Sequence, residues 1–239
     1  MASTTGNTSS HTASVVGRPI PLETGDHLDQ KSFHARYEAM PSDTKAELIG
    51  GVVYMMSPMK NPHGRHTRDV SFWLRTYELA TPGVEGGDGL TTILGHDSEP
   101  QPDACLYVRP ENGGRVRINE DGYTEGAPEL IVEVASGTES YDLHSKKRDY
   151  EAAGVCEYVV VALRQRQVFW FVRRDGAYEP LVAGQDGIYR SQVFPGLWLD
   201  PQSLLDLDGL RIRSVLEQGL ASPEHALFTQ KLGETQSTS

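Results

Sequence analysis

The chain has 239 residues, 38% hydrophobic and 23% charged, with a formal net charge of −11. Those figures suit an ordinary folded protein and exclude one whose whole surface coats nucleic acid, though a local basic groove stays open. No apolar run approaches the ~20 residues that a membrane-spanning helix needs, so no membrane partner is expected.

Residues 1–25 are rich in Ser, Thr and Gly and are expected to form a disordered tail. Their start, MASTTGNTSSHTASVVG, lacks the basic residues and apolar centre of a secretory signal. A short helix is predicted from Leu28 to Met40, ended by Pro41. Glu47 to Met56 reads as a hairpin turning at Gly50-Gly51, with Glu47 at a strand end that solvent could reach. A longer helix starts near His63, keeps Val70, Trp73, Leu74 and Tyr77 on one face, and stops at Pro82-Gly83. His63 and His66 are spaced for one helical face, but two histidines without a third ligand favour polar packing over a metal. Arg65, His66 and Arg68 sit where the helix dipole prefers acids, and they suit a nearby anion.

Leu90 to Leu94 is a short strand. Gln101 to Val108 is the next, entered through Pro102, with Asp103, Cys105 and Tyr107 on one face. The polar, glycine-rich stretch from Pro110 to Pro128 reads as an exposed excursion. Leu130-Ile131-Val132-Glu133-Val134-Ala135 is a strand buried on both faces, and it carries a carboxylate in its middle. Such a group costs several kcal/mol unless a cation or donors meet it. The following helix has an apolar stripe of Leu143, Tyr150 and Ala153, and Lys146 and Lys147 fall within it. Periodicity alone does not choose between the two lysines.

Strands at Glu157–Ala162 and Gln167–Val172, then at 177–182 and 187–193, suggest an antiparallel meander. A short helix from Pro201 and two peripheral helices follow, before a polar tail. Cys105 and Cys156, both read within strands, are expected as buried free thiols, in keeping with a cytoplasmic location.

Asp103, Glu133 and one of Lys146 and Lys147 thus stand on a strand–strand–helix frame. Two carboxylates that converge in a partly dry site need a cation between them. One or two carboxylates plus waters is the usual way of holding Mg²⁺. Such an ion activates water and neutralises phosphoryl charge, and a lysine can assist.

At these residues the chain resembles the PD-(D/E)XK nuclease superfamily, and within it the bacterial Uma-type restriction endonuclease family. The marks run from about Tyr37 to Leu207. They include Glu47-Leu48-Ile49-Gly50-Gly51, Met56-Ser57-Pro58 with His63, Gln101-Pro102-Asp103, Ile131 to Ser136, Asp142-Leu143 with Lys146 and Tyr150, Ala153-Gly154-Val155, Glu157-Tyr158 and Pro195-Gly196-Leu197. The resemblance implies an α/β, restriction-endonuclease-like fold: a mixed central sheet flanked by helices, with a β-rich C-terminal extension. It implies a domain over residues 26–212, followed by peripheral helices and a tail over 213–239.

It also implies Asp103, Glu133 and Lys146 as catalytic residues, and Asp103, Glu133 and the Val134 carbonyl as metal ligands. Glu47 and His63 are secondary candidates. Position 135, where the superfamily pattern has lysine, is Ala; the lysine looks displaced to Lys146, four residues before Tyr150. The implied activity is Mg²⁺-dependent endonuclease hydrolysis of DNA, with Mn²⁺ as a substitute and a homodimer as the expected assembly. The alternative is a catalytically idle module of the same fold that binds nucleic acid or protein. A glycosidase-like use of the two acids is disfavoured, since Trp73, Trp170 and Trp198 read as core and an inward lysine would have no task.

Overall fold

The computed structural model describes residues 20–236. Residues 1–19 of the expected N-terminal tail and 237–239 of the C-terminal one lie outside these. Residues 20–25 are docked on the fold and are not a free tail: Leu22 alone of them is buried, with Phe33, Ala46, Leu48 and Val53, and the Gly25 N–H donates to the Val53 carbonyl at 2.9 Å.

Helix α1 (Gln30–Glu38) is capped by Asp29, whose side chain accepts from the Ser32 N–H. Strands β1 (Ala46–Ile49) and β2 (Val52–Met55) form the hairpin, with Gly50 and Gly51 at φ +55° and +76°. Two consecutive positive φ values are what a two-residue type I′ turn demands, and glycine supplies them without steric cost. Helix α2 (Asn61–Ala80) follows, burying His66, Val70, Trp73, Leu74 and Tyr77.

Strands β3 (Val84–Gly87), β4 (Thr92–Ile93) and β5 (Ala104–Val108) come next. The stretch read as an exposed excursion contains a 3₁₀ turn and strands β6 (Arg117–Ile118) and β7 (Thr124–Glu125), which join β4 in a small sheet. Asn112 and Val116 there are buried, so the exposed reading is corrected. Strand β8 (Leu130–Ala135) leads through α3 (Glu139–Tyr141), a π-helical segment (Asp142–Lys146) and α4 (Lys147–Ala153) into β9 (Glu157–Ala162).

Strands β10 (Gln167–Arg174) and β11 (Ala177–Pro180) complete a six-stranded sheet in the order β11-β10-β9-β8-β5-β3. Only β8 and β9 pair in parallel, so the sheet is mixed. The meander ends at β11: β12 (Tyr189–Arg190) pairs with β13 (Trp198–Leu199) apart from the main sheet.

Helices α5 (Pro201–Leu205), α6 (Gly209–Leu220) and α7 (Pro223–Gln236) close the chain. They are not peripheral. Ile212, Leu216 and Leu232 belong to the main core, with Val70, Trp73 and Leu74 of α2 and Leu130, Val132 and Val134 of β8. The other face of β8 carries Ile131, Glu133 and Ala135, and packs with Cys105, Tyr150 and Tyr158. Both cysteines are free; Cys105 is buried, whereas Cys156 lies just before β9 and is half-buried.

Candidate active site

The β5–β8 register, Ala104 opposite Val132, puts Asp103 across from Glu133 at the open end of the pair. Facing residues of an antiparallel pair share a side of the sheet. The two acids are tied through backbone: the Asp103 N–H donates to Glu133 Oε2 at 3.4 Å, and the Val134 N–H to Asp103 Oδ2 at 2.7 Å. Asp103 Oδ2 also lies 3.3 Å from Nε2 of His63, on the first turn of α2. That hydrogen bond raises the His63 pKa against the opposing effect of burial.

Lys146 is buried and donates to Glu133 Oε1 and Glu47 Oε1, both at 2.9 Å. Lys147 is half-buried with its ammonium 3.9 Å from the centre of the Phe171 ring, and Arg148 is exposed. The π-helical segment ends at Lys146, and the wider π turn sets which lysine faces the sheet. Tyr150, one turn on, donates its hydroxyl to Glu133 Oε1 at 2.7 Å.

Glu47 is fully buried, so the solvent-exposed strand end expected for it is corrected. The cause is tertiary. Leu48 exchanges backbone hydrogen bonds with Glu99, and the Gln101 N–H donates to Glu47 Oε1 at 2.7 Å, which docks β1 on the segment entering β5. His63 and His66 part company: His63 meets Asp103, while His66 turns inward to the carbonyls of Pro62 and Leu205.

The charges do not balance. Glu47, Glu133 and Asp142 are 0%, 4% and 4% exposed, and Lys146 is the cation they share. Burial pushes the Glu133 carboxyl well above the ordinary carboxylate range, against the pull of Lys146 and with the push of Asp103, Asp142 and Glu47. Burial likewise raises Asp142 to about 6. Burial works against the charge of Lys146 too, yet Glu133, Glu47 and Asp142 together hold its ammonium well above the usual value.

Two polar atoms here have no partner among the described residues: Glu47 Oε2 and the Tyr141 hydroxyl. The contrast with Glu157 is instructive. That carboxylate is equally buried but accepts from Trp170, Ser191, Gln192 and Val193, which marks it as a structural clamp. Tyr141, Asp142 and Tyr150 were not sequence candidates. The last two lie among the residues that carry the resemblance; Tyr141 had no signal beyond its place beside Asp142.

An excess of buried carboxylate with an orphaned oxygen fits a divalent cation. Among the described residues no three His, Cys, Asp or Glu side chains stand in metal-holding geometry.

A family model described as "Uma2: Putative restriction endonuclease" matches residues 32–202. Among solved structures, one titled "Crystal structure of a putative nuclease belonging to DUF820 from Anabaena variabilis ATCC 29413" matches with a TM-score of 0.53 at 14% identity, covering 72% of this chain and 97% of that one. At that identity the likeness is one of fold. No curated protein matches the chain.

Proposed function

Since the chain belongs to the Uma2 family, we propose that it is a metal-dependent endonuclease that hydrolyses phosphodiester bonds in DNA. The observation that carries the reading is the buried Lys146 ammonium bonded to Glu47 and Glu133, with Asp103 joined to the same strand end. A protein built for stability alone gains little from such a cluster, because apolar replacements of buried ion pairs are often neutral or stabilising.

In this reading Asp103, Glu133 and the Val134 carbonyl hold the cation. Mg²⁺, or Mn²⁺ in its place, would supply Lewis-acid stabilisation of phosphoryl charge and a lowered water pKa. The protein's own groups do the positioning. Tyr150 and Lys146 both engage Glu133 Oε1, which fixes the carboxylate and leaves Oε2 with only the long bond from the Asp103 N–H. His63 and the Val134 N–H hold Asp103 by Oδ2. Glu47 anchors Lys146, whose ammonium can orient the attacking water and offset charge developing on phosphorus-bound oxygen. The free thiols accord with the cytoplasmic setting we propose. A homodimer is the assembly we propose.

Melting with and without metal tests the cation site. Mg²⁺ or Mn²⁺ should raise the Tm of the wild type, by an amount that grows with concentration, and Asp103→Asn should abolish the rise without lowering the metal-free Tm. A rise that survives Asp103→Asn would move the cation elsewhere. No rise at millimolar metal would favour the idle-module alternative.

A further inference from the structure

Opposite its buried stripe, α2 presents Arg65, Arg68, Phe72, Arg75 and Leu79, a run at three- and four-residue spacing that points to solvent. The side chains of Arg68 and Arg75 are 71% and 60% exposed, and Phe72 is 40% exposed. The helix starts with no acid in its first turn and no side-chain cap, with Lys60 at the N-cap. Cations at the positive end of a helix dipole are unfavourable unless an anion joins them. On a chain of net charge −11, this face carries three arginines, of which Arg68 is paired with Asp69 and Arg75 with Glu78.

A groove of about 400 Å³ runs beside it. Arg68, Phe72 and Arg75 form one wall, the side-chain-free Gly86 and Gly87 of β3 the other, and Cys105 and Leu106 of β5 lie between them. The acids nearby are few: Asp88 lines the groove, Asp69 lies 3.4 Å from Arg68, and Glu78 lies 2.5 Å from Arg75. Each guanidinium has five donors, so those contacts leave several free. Two of the elements that line the groove, α2 and β5, also lead to the candidate site. The first turn of α2 carries His63, which meets Asp103, and Cys105 follows Asp103 by two residues.

We infer that this groove holds an unpaired nucleotide flanking the scissile phosphate, with Phe72 stacking on its base and Arg68 and Arg75 on its phosphates. The inference rests on reading the chain as a DNA nuclease and narrows the substrate to DNA with a single-stranded flank. A cleft of this volume accommodates a nucleotide-sized ligand. An exposed aromatic ring between arginines is the pairing that single strands use: any base has a face to stack, and cations follow the backbone.

The test measures binding by full-length Glu133→Gln protein to a blunt duplex and to the same duplex with a single-stranded flank, across a salt series. The flanked DNA should bind more tightly. Phe72→Ala should weaken it about tenfold, leave the blunt duplex within twofold, and be rescued by Phe72→Trp. Arg68→Gln with Arg75→Gln should lower the salt slope by about 1 to 2. Equal affinity for the two DNAs, or a Phe72→Ala loss shared by both, overturns the groove. Wild-type cleavage separates the two levels. Cutting without flank preference sinks the groove alone, whereas Phe72-dependent binding by a wild type that cuts nothing sinks the nuclease reading alone.

Discussion

Asp142 shows best how single side chains set the behaviour of the candidate site. It sits 4% exposed beside a cluster already rich in carboxylate, and burial lifts its pKa from 3.8 to about 6. A folded-state pKa above the unfolded value means the native state binds the proton more tightly. The associated stability is full below about pH 4 and is lost as pH rises through about 6. Two units correspond to ~3 kcal/mol, and Glu133, also raised, acts in the same direction. Lys146 adds nothing to this window, since its raised pKa bears on stability only above pH 10. In metal-free buffer the Tm should therefore fall between about pH 4 and pH 6, by several degrees for a domain of this size. Asp142→Asn, which keeps the shape without the charge, should flatten that fall. An unchanged pH profile in the variant would remove Asp142 from the account.

At the scale of elements, the β1–β2 hairpin delivers Glu47, and its turn is the weak point. Gly51 has φ +76°, with nothing nearer than 3.5 Å to an added Cβ, so strain and not crowding governs substitution there. A β-branched residue held in that region costs ~1–2 kcal/mol. Gly51→Val should lower the Tm accordingly and reduce activity as the Glu47 anchor of Lys146 loosens. Gly51→Asn should be tolerated, because asparagine visits left-handed backbone readily. Equal losses for both would point to a role for the glycine other than φ.

The same elements mark how far the sequence could be read. The hairpin, α2, β5, β8 and the β9–β10 pair were legible because turn glycines, a 3.6-residue stripe and apolar runs are local signals. Strand β3 was not, since Gly86 and Gly87 erase strand propensity and only pairing with β5 makes it a strand. The burial of Glu47 was illegible for a related reason: it depends on Glu99 and Gln101, some fifty residues on. Asp103 and Glu133 stood out as acids in apolar strands. Lys146 could be separated from Lys147 only through the family resemblance, because the π-helical turn breaks the periodicity that would otherwise have decided it.

Taken as a whole, the molecule is one sheet with two differently used faces. One is sealed by α2, α5, α6 and α7 around Trp73, Trp170 and the aliphatic side chains of β8. The other gathers Glu47, Asp103, Glu133 and Lys146 where β5 and β8 reach the sheet's open end. The net charge of −11 repels DNA at long range, so binding should rest on local cations and fall steeply with salt. The central claim is that the buried cluster cuts phosphodiester bonds with the help of a divalent cation. Conversion of supercoiled plasmid to nicked and linear forms measures this directly, using wild type, Glu133→Gln and Lys146→Met, each with Mg²⁺, Mn²⁺ or chelator. Wild type should cut with either metal and stop with chelator; Glu133→Gln should lose cutting by at least a hundredfold, and Lys146→Met should slow the chemical step at saturating DNA. Cutting that persists in chelator, or that Glu133→Gln leaves intact, would contradict the account.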